Sequence, residues 1–485
     1  MKKILFVASE VYPLIKTGGL ADVAGSLPQA LQAVGQDIRI LMPAYQAVTA
    51  KAGHCELVAR IPSLWGEAQL LECLLPETQV KVWLLDFPEF FDRAGGPYSA
   101  ADGEAWGDNA TRFAFMAHAV VKVAMNQIDL EWQPDVVHCN DWPCGLIPAL
   151  LQQYPDRPAT IFTIHNLAYQ GLFPFATFHA LDLPIELWSP EALEYHEQIS
   201  FMKGGLVFAD QINTVSPTYT QEIQTEAFGC GLEGLLTHRS ACLSGILNGV
   251  DDREWNPGTD PHLFKNYQAD SMDGKEVNKK YLQKILGLTT KAEIPLIGCI
   301  GRLVEQKGVD LILSAMPELI KSPVQCVFLG SGDPELEARL IYWARRYPER
   351  IAVKVGYDES LAHQIEAGVD LFLMPSRFEP CGLNQMYSQY YGTVPVVREV
   401  GGLADTVTDA SVETLAADTA TGISFAEASS GALLEAIKRA LLLYGNKAQW
   451  KQMQLAGMRQ DFSWVRSAEQ YTGLYALALK VRQQA

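Results

Sequence analysis

Residues 369–383 read VDLFLMPSRFEPCGL, an apolar run that passes directly into a loop rich in polar and charged groups. The run through Met374 has the composition of a strand that is buried on both faces, as strands of parallel sheets are. After Leu383, apolar side chains such as Met386 and Tyr390 recur at helical spacing. The stretch therefore predicts a strand, a loop and a helix, which is the repeating unit of an α/β fold.

The loop within this stretch has two interpretations. Loops at the carboxyl ends of strands in open α/β sheets bind ligands, and Gly382 would allow the backbone to approach one closely. The first N–H groups of the following helix would then face an anion. In the other interpretation the segment is an ordinary connection in which Glu379 caps the helix.

The same alternation continues along the whole chain. Apolar strand-like runs that end in Gly-rich or polar loops include residues 4–8, 37–42, 160–164, 212–215, 296–300, 324–329, 351–355 and 394–398. Two such series are separated by a polar connector at 256–275, and a final helical segment follows Asp461. We therefore expect domains at 1–242 and 243–460, and a C-terminal helix within 461–485.

Composition excludes several classes of function. The 485 residues are 48% hydrophobic and 19% charged, as in ordinary globular proteins, and the formal net charge is −18. Nucleic acids and anionic membranes require a basic surface, so neither is expected as a partner. Nine cysteines without a C-x-x-C pair indicate neither a disulfide framework nor a zinc site. With no signal pattern and no long apolar run, we expect a cytoplasmic location.

Two loops combine glycine with a cation at the start of a helix. Lys16 precedes Gly18 and Gly19 after the first strand, and Arg302 and Lys307 follow the strand at 296–300. Free backbone N–H groups together with ammonium and guanidinium groups suit a diphosphate. A solvated lysine beside a tight turn remains the alternative for Lys16.

Other strand ends carry candidates for chemistry or stacking. His165 and Asn166 end the strand at 160–164, and Tyr357 follows the strand at 351–355, where it could stack on a base. The Gly- and Asp-rich segment around Tyr98 and Trp106 is expected to expose both rings. It is either a flexible insertion or a surface on which sugar rings stack.

The sequence lacks the signature motifs of three large families of nucleotide-binding enzymes. No complete G-x-G-x-x-G with an acidic ribose partner occurs, as a NAD dehydrogenase would require, and no G-x-x-x-x-G-K-[ST] occurs. The D-x-D metal clamp of many glycosyltransferases is also missing. Two cationic loops could neutralise a departing diphosphate without a metal.

Longer motifs make the chain resemble a known family. KTGGLADV at 16–23, TIHNLAYQG at 163–171, NGVD at 248–251, SRFEPCG at 376–382 and GGLADT at 401–406 stand in that order. From about residue 2 to 475 the chain is similar to bacterial glycogen synthases and plant starch synthases. The resemblance implies an α/β fold of GT-B type: two Rossmann-like, doubly wound domains facing a cleft, with the C-terminal helix packing back toward the N-terminal domain.

The resemblance also implies a reaction. The family is expected to transfer glucose from ADP-glucose to the non-reducing 4-OH of an α-1,4-glucan with retention of configuration, without metal or other cofactor. Residues implied as catalytic are Lys16, His165, Arg302, Lys307 and Glu379. Residues implied to bind ADP-glucose also include Gly18, Gly19, Asp22, Asn166, Asn248, Tyr357, Cys381, Gly382 and Leu383. Tyr98 and Asp141 are assigned to the acceptor side.

The sequence departs from related retaining enzymes at position 387, and three alternative functions stay open. Related retaining enzymes carry a second Glu eight residues after the first, and the Tyr387 that stands there in this chain fits the glycogen and starch synthase branch. Since no carboxylate of the enzyme is placed for a double displacement, front-face attack with the leaving phosphate as base is expected. The alternatives are an enzyme of the same architecture that uses UDP-glucose or glucosylates a small molecule, a catalytically silent glucan-binding homologue, and a phosphorylase with a pyridoxal lysine.

Overall fold

The structure is a computed structural model that describes residues 1–484, and the chain divides into two compact units. Unit 1 comprises residues 1–249 and the C-terminal helix, and unit 2 comprises Val250–Ser463. The sequence predicted that the first domain ends at residue 242, before the strand Leu243–Gly245. That strand instead pairs with Gln211–Thr214 in the first sheet, which is why unit 1 continues to Gly249.

Unit 1 is built on a largely parallel sheet. Its strands are β1 Lys3–Val7, β2 Asp37–Pro43, β3 Glu56–Ser63, β4 Gly66–Leu74, β5 Lys81–Asp86, β6 Val136–Asn140, β7 Ala159–Ile164, β8 Leu172–Pro174, β9 Glu194–Tyr195, β10 Gln198–Ser200, β11 Gln211–Thr214 and β12 Leu243–Gly245. The main sheet has the order β12-β11-β7-β6-β1-β2-β5-β4-β3, in which β4 is antiparallel to both of its neighbours, β5 and β3. A small antiparallel sheet, β8-β10-β9, lies in the connection after β7.

Helices cover the sheet of unit 1 and bury its apolar residues. They are α1 Gly19–Ala33, α2 Gln46–Thr49, α3 Pro88–Phe91, α4 Asn109–Ala124, α5 Leu146–Leu151, α6 Phe175–Phe178, α7 Phe201–Phe208, α8 Pro217–Glu222 and α9 Glu233–His238. Helix α1 runs continuously through Pro28. Every side chain of the short strands β1, β6 and β7 is buried except that of Lys3, so these strands form the centre of the core.

The C-terminal helix, Trp464–Gln484, packs on unit 1. Its Tyr475 hydroxyl lies 2.9 Å from His138 Nδ1, and its Tyr471 hydroxyl accepts a hydrogen bond of 2.9 Å from Asn213. Both partners are fully buried strand residues, so these bonds satisfy polar groups that would otherwise be costly inside the core. The predicted return of this helix to the N-terminal domain is confirmed.

Unit 2 is a second Rossmann-like layer structure. Its strands are β13 Leu296–Ile300, β14 Gln325–Gly330, β15 Ile351–Val355, β16 Leu371–Met374, β17 Val394–Arg398 and β18 Ile423–Phe425. Its helices are α10 Asp273–Ile285, α11 Val309–Leu319, α12 Pro334–Arg346, α13 Glu359–Gly368, α14 Asn384–Tyr390, α15 Gly401–Thr406, α16 Val412–Ala416, α17 Ser430–Gly445 and α18 Lys447–Met458, and the C-terminal helix is α19. The strands are parallel in the order β15-β14-β13-β16-β17-β18.

Each sheet has a point where the chain reverses its direction of winding. In unit 1 the strand order runs outward on either side of β1 and β6, and in unit 2 on either side of β13 and β16. A crevice for ligands opens at such a switch point, beyond the carboxyl ends of the strands. A ligand is therefore expected at the loops that follow these four strands. No helix of residues 1–484 has both the length and the apolar character needed to cross a membrane.

The segment between β12 and α10 is anchored to unit 2 by stacked rings. The Trp255 ring lies between those of His363 and Tyr387, with centroids 3.8 and 3.9 Å away and interplanar angles of 10° and 2°. His363 Nδ1 lies 2.8 Å from Asp260 Oδ2, which also accepts a 2.5 Å hydrogen bond from the Tyr391 hydroxyl. His363, Asp260 and Tyr391 are almost fully buried, so the ion pair is shielded from solvent.

This cluster predicts a pH-dependent stability. Burial alone would lower the pKa of His363, but hydrogen bonds to Asp260 and Glu359 outweigh it and raise the pKa to about 9. Because the pKa is higher folded than unfolded, the stabilisation is complete below about pH 6.5 and is lost as the pH rises through about 9. We expect His363→Gln to reduce the free energy of unfolding by about 2–3 kcal/mol at pH 6 and by much less at pH 10.

Urea unfolding of the wild type and the variant across this pH range measures the difference. His54→Gln is the control, because the His54 side chain is 86% exposed. A loss of stability that is the same at pH 6 and pH 10 would contradict the proposed charge on His363.

Candidate active site

In unit 2, a lysine and a glutamate from the two switch-point loops form an ion pair. Lys307 follows β13 and Glu379 follows β16, and Lys307 Nζ lies 2.6 Å from Glu379 Oε2. The same carboxylate oxygen accepts a 2.9 Å hydrogen bond from the Ser376 hydroxyl. The Glu379 side chain is 7% exposed and that of Lys307 is 27% exposed. The pair is thus fixed on its buried side while the ammonium still reaches the surface.

Further contacts hold the two loops of unit 2 together. Arg377 forms a bidentate ion pair with Asp310, both distances being 2.8 Å, and its backbone N–H donates to Gln306 O. Gly308 has φ +71°, and a Cβ there would collide with the carbonyl oxygen of Pro375. The close approach of the two backbones therefore requires glycine at this position.

The remaining predicted residues of unit 2 lie in loops that follow its strands. Arg302 is exposed and donates a 2.9 Å hydrogen bond to Gln306 Oε1, and Tyr357 is 73% exposed after β15. Cys381 is buried, and Gly382 has φ +72° next to Leu383, which precedes α14 directly. Glu379 does not cap α14, the helix that follows its loop. Its carboxylate bonds to Lys307 and Ser376 instead.

In unit 1, the glycine loop after β1 is held by a buried glutamate. Glu10 Oε2 accepts hydrogen bonds from the backbone N–H groups of Thr17 and Gly18, at 2.5 and 3.1 Å. Gly18 precedes Gly19, the first residue of α1, and Lys16 Nζ lies 2.8 Å from Asp22 Oδ1 in the first turn. Burial raises the pKa of Glu10, and the loop N–H groups partly offset this.

Tyr98 is not the exposed ring that the sequence suggested. Its hydroxyl donates a 3.0 Å hydrogen bond to Glu10 Oε1 and lies 2.7 Å from the Ser9 hydroxyl. Trp106 is likewise only partly exposed, and its Nε1 donates to Gly96 O. The expectation of exposure was wrong, because polar groups that follow β1 supply partners for a loop that is distant in sequence.

The His165 ring is oriented by a strand-end amide. His165 Nε2 lies 3.0 Å from Asn140 Oδ1, and Asn140 Nδ2 donates to Val7 O at 3.0 Å. Since the amide nitrogen is engaged by β1, its oxygen faces the ring and His165 Nε2 carries the proton. Burial lowers the pKa of His165 to about 3, so the ring is neutral near pH 7.

Asp141 and Asn248 are buried polar side chains with unpartnered oxygens. Within residues 1–484, neither Asp141 Oδ1 nor Asn248 Oδ1 has a hydrogen-bond partner. Burial raises the pKa of Asp141 to about 8 against the opposing backbone hydrogen bonds from Asn166, His165 and Trp142. Asp141 also has φ +60° and ψ 179°, a conformation that non-glycine residues rarely adopt and that is often found at functional sites.

Several of the residues that build these arrangements were not selected from the sequence. They are Glu10, Asn140, Asp310, Ser376 and Arg377. Glu10 and Asn140 each stand at or near the end of a buried strand, which is the one sequence signal that could have identified them. Their partners lie 7 to 133 residues away, and no local pattern encodes such pairs.

Two family models match the chain. One, described as the starch synthase catalytic domain, matches residues 3–238, and the other, described as glycosyl transferases group 1, matches residues 287–454. Among similar proteins, glycogen synthase 1 of Methylococcus capsulatus is 58% identical over 478 residues, which are 98% of this chain and 97% of that protein. Glycogen synthase of Thioalkalivibrio sulfidiphilus is 56% identical, with 98% and 99% covered.

Solved structures also resemble this chain. The catalytic domain of starch synthase IV from Arabidopsis thaliana, bound to ADP and acarbose, matches with a TM-score of 0.89 at 32% identity, covering 99% of both chains. Sucrose-phosphate synthase from Thermosynechococcus elongatus has a TM-score of 0.60 at 17% identity with 98% of both chains covered, which speaks for the fold alone. The predicted α/β fold with two Rossmann-like domains is confirmed.

The close packing at Gly308 gives a test with a matched control. Gly287 has nearly the same backbone conformation, φ +72°, but a Cβ there would meet nothing within 4 Å. Gly287→Ala should therefore cost only the conformational strain of about 1 kcal/mol. Gly308→Ala adds a collision between loops and should reduce the free energy of unfolding by about 1–3 kcal/mol more.

Urea unfolding of the two variants beside the wild type measures both losses. Equal losses at the two positions would mean that the approach of Gly308 to Pro375 is not tight in solution.

Proposed function

The chain belongs to the glycogen synthase and starch synthase family of glycosyltransferases, and we propose that it elongates an α-1,4-glucan with glucose from ADP-glucose. One observation carries the proposal beyond family membership: the Lys307–Glu379 ion pair at the switch point of unit 2. The pair presents a cation that can bind a diphosphate beside a carboxylate that can accept hydrogen bonds from sugar hydroxyls. A diphosphate joined to a sugar is the reacting part of a nucleotide sugar.

Residues of unit 2 are assigned to the donor. Arg302 and Lys307 bind the diphosphate and stabilise the charge that develops as it departs. Glu379 accepts hydrogen bonds from hydroxyls of the glucose, and backbone N–H groups of Cys381, Gly382 and Leu383 cover the phosphate. Tyr357, whose ring is exposed after β15, stacks on the adenine.

Residues of unit 1 are assigned to phosphate, sugar and acceptor. Lys16 and the N–H groups of the Gly18–Gly19 loop bind phosphate, although in this structure the Gly18 N–H is already bonded to Glu10. Asp22, Asn166 and Asn248 are further donor contacts. The unpartnered Asn248 oxygen supports this, since a buried amide oxygen without a partner is costly unless a ligand supplies one. Tyr98 and Asp141 are assigned to the acceptor side.

The chemistry that we propose is front-face transfer with retention. The bond from C1 to the leaving phosphate oxygen breaks, the acceptor O4 attacks from the same face, and the leaving phosphate takes the O4 proton. His165 faces the positively charged sugar of the transition state. Its neutral ring suits this role, since an imidazolium would repel that charge. With Arg302 and Lys307 neutralising the diphosphate, we propose that no metal or other cofactor takes part.

A cytoplasmic location is part of the proposal. All cysteines of the described chain are free, and five of them are buried on strands or in the helical segment after β6: Cys73, Cys139, Cys144, Cys299 and Cys326. Unpaired cysteines are typical of proteins that work in a reducing compartment.

Release of the nucleotide tests the donor and the acceptor together. We expect the purified enzyme to release ADP from ADP-glucose when glycogen is present, and to release little ADP without it or UDP from UDP-glucose. The glycogen should lengthen by α-1,4-linked glucose.

The two other transferases and the catalytically silent homologue each predict a different result in this assay. If UDP is released from UDP-glucose faster than ADP from ADP-glucose, the donor is UDP-glucose and not ADP-glucose. Release that requires a small acceptor and ignores glycogen would indicate a glucoside-forming enzyme. No release with either donor, from protein that binds glycogen, would indicate a catalytically silent homologue.

A further inference from the structure

Glu10 is a buried carboxylate at the switch point of unit 1, and it bonds to two separate loops. Oε2 accepts from Thr17 N and Gly18 N in the glycine loop. Oε1 accepts from the Tyr98 hydroxyl in the loop between β5 and α4. The residue is 3% exposed, so these contacts are largely shielded from water.

These contacts determine the shape of the glycine loop. A backbone segment that leaves a strand and enters a helix has free N–H groups, which water or a side chain must satisfy. Here one carboxylate oxygen satisfies two consecutive N–H groups just before α1. Charge-assisted hydrogen bonds of this kind are roughly twice as strong as neutral ones, so the loop that carries Lys16 is held in one conformation before any ligand binds.

We propose that Glu10 is a positioning residue that couples the donor-phosphate loop at Lys16–Gly19 to the acceptor-side residue Tyr98. This inference rests on the proposed function, because it takes the donor and acceptor roles of these two loops from it. Glu10 itself contacts neither substrate. It fixes the loop N–H groups and the Tyr98 ring relative to each other, so a change at one loop is felt at the other.

The most specific test is Tyr98→Phe, which removes only the hydroxyl that bonds to Glu10 and Ser9. If the coupling exists, this change on the acceptor side should raise the KM for ADP-glucose by about three- to fivefold, since one hydrogen bond supporting the donor loop is lost. A KM for ADP-glucose equal to that of the wild type, whatever happens to the KM for glycogen, would overturn the coupling.

Two variants of Glu10 separate positioning from charge. Glu10→Ala removes all three contacts and should raise the KM for ADP-glucose at least tenfold, because the two hydrogen bonds that hold the loop N–H groups are lost together with the one from Tyr98. Glu10→Gln keeps an oxygen for Thr17 and Gly18 and offers an N–H to the Tyr98 oxygen. It should restore the KM to within about threefold of the wild type. A Gln variant as impaired as the Ala variant would overturn a positioning role.

Glu72→Ala is the matched control in the same unit. Glu72 also accepts two side-chain hydrogen bonds, from Lys81 Nζ at 2.7 Å and Trp83 Nε1 at 2.9 Å, but on β4. Its loss should leave both KM values unchanged. Should Glu10→Ala not fold, the Tyr98→Phe and Glu10→Gln results still decide the question.

The assay also keeps this inference apart from the proposed function. If the wild-type enzyme does not turn over ADP-glucose, the proposed function is wrong, and the coupling between donor and acceptor loops is wrong with it. Active wild-type enzyme whose ADP-glucose KM is unaffected by Glu10→Ala would reject the role of Glu10 alone.

Discussion

The 2.6 Å ion pair between Lys307 and Glu379 depends on a demanding piece of backbone geometry. The loops after β13 and β16 must lie against each other, which Gly308 permits by its positive φ and missing side chain and which Arg377 and Asp310 reinforce. Parallel strands bring both loops to one edge of the sheet, at the point where the winding reverses. The Lys307–Glu379 contact therefore depends both on glycine at position 308 and on the order of the parallel strands.

In unit 1, too, side chains fix the strand-end loops, but through hydrogen bonds and not through an ion pair. Its switch point lies between β1 and β6, where Glu10 fixes the glycine loop and Asn140 orients His165. Burial keeps the His165 ring neutral and Asp141 protonated near pH 7. These side chains are thus set for hydrogen bonding rather than for carrying charge, and the exposed ammonium of Lys16 is paired with Asp22.

The sequence predicted the fold well because its signals are local. Apolar strand runs, glycines at strand ends and helical spacing are read within a few residues, and the strands at 351–355 and 394–398 have the predicted bounds. The exposure of Tyr98 and the end of unit 1 depend on partners that are remote in sequence, namely Glu10 and β11. The same holds for Asn140, whose partners Val7 and His165 lie 133 and 25 residues away.

We propose that Lys307 and Glu379 act as one unit in handling ADP-glucose. A double-mutant cycle tests it most directly, with kcat/KM for ADP-glucose measured for Lys307→Met, Glu379→Gln and the double variant. Each single change should lower kcat/KM by about 10²–10³, and the double variant should lie within about tenfold of the worse single variant, because both changes break the same pair. Losses that multiply in the double variant would show that the two residues act independently and would contradict the account.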